Sequence, residues 1–460
     1  MIIDCKKSLK KLIHKLDLKF LNKIFLDNGT IKIFARYSLP RSKKSIVGWI
    51  PYLKNRTKVV IFNFFSTNYS IRENIKGRIY LVKNQEIIDQ YNFNLNLNET
   101  KEFCPNELFK DKNGDTILVE LISDKIKINH GGHDGHFRFW GKYEDNKNNV
   151  RAISHSMPLS YNELFAKISD KYSRNYNLKL NTKERMLNFY PGGYIEKEKY
   201  SKNSVYGFNM IIEDQEPKSI WHLSPLNKNN IECELTQGFY CPKSSKVDPI
   251  IILDPNETGI QDNEVDFFIL INNQIKFIKK EIIKGLFKEK VSSIFQKIED
   301  EYYFFIKFKS LGESHAHVHY SNENDTFDQV HMHGSNWEVK DNKLIFKESK
   351  KIRNCRKFFC YDLKDTNLEN YIIIHNEKIK DKTSNNLKIR IFQNGNENLI
   401  NFDFPPEKPI KVINVEDIFK DAKSKNTLVQ IESSDYNFHA TGLIFNKVTE
   451  NITTDHFTGG

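Results

Sequence analysis

Val59-Val60-Ile61-Phe62, followed by Arg78-Ile79-Tyr80-Leu81-Val82, is the pair of phrases on which the fold turns. Both are short and rich in β-branched and aromatic residues, which suit a pleated, half-buried surface. The pair returns twice. Ile250-Ile251-Ile252-Leu253 precedes Phe267-Phe268-Ile269-Leu270-Ile271, and Ile372-Ile373-Ile374 precedes Ile389-Arg390-Ile391-Phe392. The step is 19 residues from Ile61 to Tyr80, and 17 from both Ile252 to Ile269 and Ile374 to Ile391.

A third landmark follows in each place: Leu108-Phe109-Lys110, Leu286-Phe287-Lys288 and Ile418-Phe419-Lys420. A fourth is an apolar strand, Ile117-Leu118-Val119, Tyr303-Phe304-Phe305-Ile306 or Thr427-Leu428-Val429, reached in the second copy after a longer insertion. Landmarks that recur in the same order mark a repeated structural unit.

Each copy then ends in two strands joined by a polar turn. The first runs from Gly135-His136-Phe137-Arg138-Phe139-Trp140 to Ile153-Ser154-His155, the second from Ala316-His317-Val318-His319-Tyr320 to Val330-His331-Met332-His333. The third runs from Thr441-Gly442-Leu443-Ile444-Phe445 to Asp455-His456-Phe457. Aligning the hairpins by their histidines sets His136 beside His317 and Gly442, and His155 beside His331 and His456.

Short strands with polar turns at close intervals predict a mainly β chain of three tandem, diverged antiparallel β-sandwich repeats, Ig-like or C2-like. The predicted repeats span residues 46–158, 249–335 and 370–460. Residues 159–248 read as a connector or an extension of the first repeat, with a helix near Tyr161–Lys171, and 336–369 as a second connector. Residues 1–45 precede them. Within these, Leu9, Leu12, Ile13, Leu16, Phe20 and Ile24 recur at helical spacing between Lys6, Lys7, Lys10, Lys11 and Lys15, which predicts a basic amphipathic helix over 1–26. Such a helix docks on the first repeat or makes peripheral contact with an anionic membrane.

At 460 residues the chain exceeds what one hydrophobic core supports, so several domains are expected. The net charge of +11 is compatible with an anionic partner, but basic and acidic residues are interleaved, and no dedicated nucleic-acid motif stands out. Six cysteines are too few for a disulfide scaffold, and they fit buried free thiols in a reducing compartment. No apolar run is long enough to span a bilayer, and lysines interrupt the N-terminal apolar positions as they would not in a secretory signal. A cytoplasmic location is expected.

Of 14 histidines, five fall within residues 315–333. Side chains alternate across a strand, so His317 and His319 share one face, as do His331 and His333. A turn centred near Asp325 would set His319 opposite His331 and His317 opposite His333. Their Cβ atoms would then be about 4.5–5.5 Å apart, close enough to share one divalent zinc, iron or copper ion. The segment also resembles part of the cupin motif: His317-Val318-His319 with Glu323 at matching spacing, flanked by Gly312 and Gly334 at other spacings. That resemblance covers about 20 residues of the second copy and implies that His317, His319 and Glu323 bind one metal.

Around the other hairpins His136, Arg138, Trp140, His155, Trp337 and His456 form a candidate ligand-binding set, with Trp140 and Trp337 available to stack on a sugar. Phosphate-binding loops, dinucleotide turns, nucleophile elbows and His-Glu-x-x-His are all absent from the sequence. The leading expectation is a non-enzymatic binding or assembly protein whose ligand is a carbohydrate, an anionic molecule or a protein. The alternative is a metal-dependent enzyme centred on the second hairpin.

Overall fold

The structure, a computed structural model, describes most of residues 45–459. Residues 1–44, 124–137, 159–184, 197–206, 224–231, 347–354 and 376–384 lie outside it, as do shorter stretches between strands and residue 460. The predicted helices at 1–26 and near Tyr161–Lys171 fall there. The described chain is mainly β, arranged in several antiparallel sheets, and its helices are single turns of four or five residues.

The first apolar phrase forms the strand Thr57–Phe62, in a sheet ordered Thr100–Phe103, Thr57–Phe62, Trp140–Glu144, Val150–His155. The second phrase lies in Ile75–Lys83, in a partner sheet ordered Glu86–Leu95, Ile75–Lys83, Thr116–Ile122, Ser45–Pro51, Met157–Pro158. Along Ile75–Lys83 burial alternates, with Ile75, Ile79 and Leu81 buried, as expected of a strand facing a core on one side. Tyr143 ties the sheets together, its hydroxyl donating 3.0 Å to the Pro51 carbonyl.

The same strand order recurs toward the C-terminus. The smaller sheet there runs Ile410–Asn414, Leu368–His375, His439–Asn446, Ile452–His456. The larger runs Asn396–Phe404, Asn385–Gln393, Thr427–Ser433, Cys355–Tyr361, Thr458–Gly459. Between them lies a pair ordered Phe287–Lys290, Ile250–Leu253, His317–Ser321, Thr326–His331 and Gln274–Lys284, Asp262–Ile271, Tyr302–Ser310, Cys233–Cys241. Its Tyr320 hydroxyl donates 2.6 Å to the Tyr240 carbonyl, tying these sheets as Tyr143 ties the first pair.

Cys233–Cys241, in the stretch read as a connector or an extension of the first repeat, and Cys355–Tyr361, in the second connector, are ladder partners of Tyr302–Ser310 and Thr427–Ser433. They stand in their sheets where Ser45–Pro51 stands in the first pair. The third landmark was misplaced in the middle pair. Leu286 precedes the strand Phe287–Lys290, whereas the helical turn matching Pro105–Phe109 and Val415–Ile418 is Val291–Phe295. Phe109, Phe295 and Phe419 then precede the next strands, at Thr116, Tyr302 and Thr427, by 7, 7 and 8 residues, and no insertion is needed.

The stretch 159–248 also holds a sheet of its own, ordered Gly193–Glu196, Arg185–Tyr190, Gly207–Glu213, Glu216–Leu223. It repeats the layout of the smaller sheets: a central strand, one neighbour on one side, and a two-strand edge on the other. Its Phe208 ring meets Trp49 edge-on at 5.0 Å, which joins this sheet to the first pair.

Two apolar clusters hold the molecule together. One merges the first pair, the lone sheet and the C-terminal pair, with Phe62 5.6 Å from Phe358. The other runs from the middle pair into Ile373, Leu443, Phe445 and Ile452 of the C-terminal pair. Polar contacts follow the same seams: Gln430 donates 3.1 Å to the Thr67 carbonyl, and buried Lys142 donates to Asn426. No helix among the described residues is long and apolar enough to cross a membrane.

Candidate functional site

In each smaller sheet one register row crosses the last three strands. It reads Val60, Trp140, His155 in the first pair and Ile252, His317, His331 in the middle pair. The C-terminal row is Ile373, Thr441, His456, and the lone sheet gives Phe189, Phe208, His222. Every row therefore ends in a histidine on the outermost strand. Those strands, Val150–His155, Glu216–Leu223, Thr326–His331 and Ile452–His456, lie alongside one another and close a ring, with Val150–His155 and Thr326–His331 also touching each other across it. Thr453 bridges one seam, its hydroxyl donating 3.4 Å to the Val150 carbonyl.

Where the first and C-terminal strands meet, His155, Asp455 and His456 come together, with one potential ligand atom from each all within 4.8 Å. Asp455 Oδ2 accepts the His155 backbone N–H at 2.8 Å and lies 2.7 Å from His155 Nδ1. Asp455 Oδ1 accepts the His456 backbone N–H at 2.7 Å and lies 3.1 Å from His456 Nδ1. The two imidazoles are edge-to-face, 4.6 Å apart.

Burial pushes the His155 imidazole down to about 4, against the opposing pull of Asp455. Burial works against the Asp455 carboxylate too, but His155 and His456 beside it hold it well below the usual carboxylate range. A carboxylate only accepts hydrogen bonds, so neutral His155 carries its proton on Nδ1 and its lone pair on Nε2. Behind His155, Arg138 Nη1 donates 2.7 Å to the Ser156 carbonyl, and Ser156 Oγ accepts the Phe139 N–H at 3.1 Å.

The residues singled out in the sequence distribute unevenly. His155 and His456 meet, and Arg138 braces the next turn of chain. His136 and His333 lie outside the described residues, and of Trp337 only the backbone, in Trp337–Lys340, is described. Trp140 is not a sugar platform. It is 0% exposed, with Phe62 5.6 Å away, because it sits on the inner face of the sheet. In the register Trp140, not His136, is the counterpart of His317, and Thr441 rather than Gly442 is the third member.

The pairing of the middle hairpin also changes. Ser321 pairs with Thr326, so the chain reverses within residues 322–325 rather than around Asp325. His317 thereby faces His331, and His319 faces Gln329. His317 and His319 are both buried. Asp455 was missed as a site residue. Asp455 neighbours His456 along a strand, where alternation would separate the two side chains, and its partner His155 lies 300 residues away.

No protein-family model matches the chain, and no curated protein matches it. Among solved structures, the FN1–FN3 domains of chicken CNTN1 are similar at 7% identity and a TM-score of 0.11, covering 70% of this chain and 93% of that one. Nothing below rests on that likeness.

Proposed function

We propose that this chain is a non-enzymatic binding or assembly protein, built from three diverged copies of one sandwich unit and presenting their outer edges to an acidic protein partner. The recurring strand orders and register rows support the repeat. The outermost strand of each larger sheet supports the binding role and is the observation that carries it. Ile87, Ile88 and Tyr91 are exposed on Glu86–Leu95, and Leu399 on Asn396–Phe404. On Gln274–Lys284 Phe277 is 51% exposed and Ile282 65%, with Ile278 between them.

An edge strand offers unpaired backbone groups to another extended segment, and soluble proteins seldom leave one long and apolar. Lys276, Lys279, Lys280 and Lys284 outnumber Glu281 on Gln274–Lys284, which disfavours a second copy and favours an acidic, apolar-alternating segment. The free thiols Cys104, Cys233, Cys241 and Cys360 fit a reducing, cytoplasmic setting.

The test uses a fluorescent peptide alternating Glu and Val, read by anisotropy with the full chain. Binding should weaken at least tenfold in a Phe277→Lys/Ile282→Lys variant, and a peptide with Lys in place of Glu should not bind. Equal binding of both peptides, or of both proteins, refutes the edge as the binding surface.

A further inference from the structure

His155 and Asp455 stand 300 residues apart in the chain, yet they meet where Val150–His155 and Ile452–His456 run side by side. His456 follows Asp455, and all three side chains are largely enclosed, at 1%, 8% and 12% exposed for His155, Asp455 and His456. His155 Nδ1 lies 2.7 Å from Asp455 Oδ2, and His456 Nδ1 lies 3.1 Å from Asp455 Oδ1. One ligand atom from each residue, the Asp455 oxygen included, lies within 4.8 Å of the other two. Arg138 stands behind His155, its Nη1 turned to the Ser156 carbonyl at 2.7 Å. Enclosing a carboxylate is costly, and a cation bound to it directly offsets that cost more fully than hydrogen bonds from neutral imidazoles.

We propose that this junction binds one divalent transition ion of the zinc class, held by His155 and His456 through Nδ1 and by Asp455 through a carboxylate oxygen. Two imidazoles and one carboxylate suit such an ion, whereas calcium and magnesium take oxygen donors. Zinc bonds of about 2.0–2.2 Å to nitrogen and oxygen set tetrahedral donors about 3.3–3.5 Å apart. Donors already within 4.8 Å of one another reach that spacing by shifts of about an ångström. The ion takes the place of the proton on His155 Nδ1; that proton leaves to solvent and Nε2 takes one up, so the imidazole stays neutral. Each carboxylate oxygen has two lone pairs, so the bonds from the His155 and His456 backbone N–H groups persist beside the ion. Three protein ligands leave the fourth position to water. The ion would clasp the first sheet pair to the C-terminal one, a role independent of the outer edges proposed to bind a partner.

The experiment takes the full chain, expressed without a histidine tag, stripped with EDTA, and titrates it with Zn²⁺ or Co²⁺ alone. The expected result is one tightly held ion per chain, tetrahedral visible bands with cobalt, and a melting temperature raised by the ion. Affinity should fall at least tenfold in His456→Ala, the most exposed of the three and the one whose truncation disturbs the core least. His456→Cys exchanges an imidazole for a thiolate, and its cobalt spectrum should gain a sulfur-to-metal charge-transfer band that the parent lacks. Circular dichroism confirms that each variant is folded. The proposal is overturned by the parent chain binding no stoichiometric ion, by unchanged affinity in His456→Ala, or by the absence of a new band in His456→Cys. Peptide binding by the outer edge is measured separately, so failure of one does not entail failure of the other.

Discussion

His375 should make the seam between the middle and C-terminal sheet pairs acid-labile. It ends the strand Leu368–His375, opposite His439, and is 3% exposed. It lines a small cavity with Gly238, Phe239, Tyr240, Tyr320, Ile373 and Thr441, and the Tyr303 ring meets it edge-on at 6.4 Å. Burial, reinforced by His439 and Lys357, pushes its imidazole down to about 3. Unfolded, the same imidazole takes up a proton near pH 6.5. Between those values the unfolded chain binds the extra proton, so stability contributed by neutral His375 is intact above pH 6.5 and drains away as pH falls toward 3. By pH 4.5 the loss is about 3 kcal/mol, from roughly two pH units at about 1.4 kcal/mol each.

Urea unfolding of the parent chain and of His375→Gln, from pH 7.5 to 4.5, measures this. The parent should lose stability across that window, with His155 adding a second loss because its imidazole is held down to about 4. His375→Gln should lose about 3 kcal/mol less over the same window, whatever the substitution costs at pH 7.5. A variant that tracks the parent at every pH would refute the assignment of a neutral, proton-excluding His375.

Gly442→Ala should destabilise by about 1–3 kcal/mol, the cost of overpacking a closed site. A Cβ there meets three Phe359 ring atoms at 2.5–2.6 Å, and that ring is backed by Phe457 at 5.5 Å and Tyr361 at 4.7 Å, so it cannot retreat. Urea midpoints at pH 7.5 check it. Burial pushes the Cys241 and Cys360 thiols up to about 12, while Cys104 and Cys233 are partly exposed. Iodoacetamide at pH 8 followed by peptide mass mapping should therefore modify Cys104 and Cys233 in native protein and reach Cys241 and Cys360 only after unfolding.

The apolar phrases were readable because they fill central strands, where both neighbours and the facing sheet demand bulky side chains. Ile61, Ile79, Ile252, Ile269, Ile374 and Ile391 all sit there and are buried. First strands such as Cys355-Arg356-Lys357-Phe358-Phe359-Cys360-Tyr361 escaped notice because their basic residues break the apolar run, and only the ladder to Thr427–Ser433 reveals the role. Leu286-Phe287-Lys288 misled because a helical turn of four or five residues and a four-residue strand have no periodicity to tell them apart. The histidines drew attention correctly as a class, but their pairing depended on where one turn closes, and a shift of two residues exchanges His333 for His331 opposite His317. That His155 meets Asp455 was not legible at all: contacts between sheet edges of different units leave no local pattern.

The ring of edges also dictates an order of events during synthesis. Val150–His155, Glu216–Leu223 and Thr326–His331 emerge from the ribosome before Ile452–His456, yet that last strand adjoins two of them and supplies Asp455. Until it arrives, two edges, Val150–His155 and Thr326–His331, are left without their final neighbour, in a segment long enough to meet other nascent chains. Closure by the late strand is thus a completeness check: a chain halted before residue 452 retains most of its sheets but exposes edges that a quality-control factor can recognise.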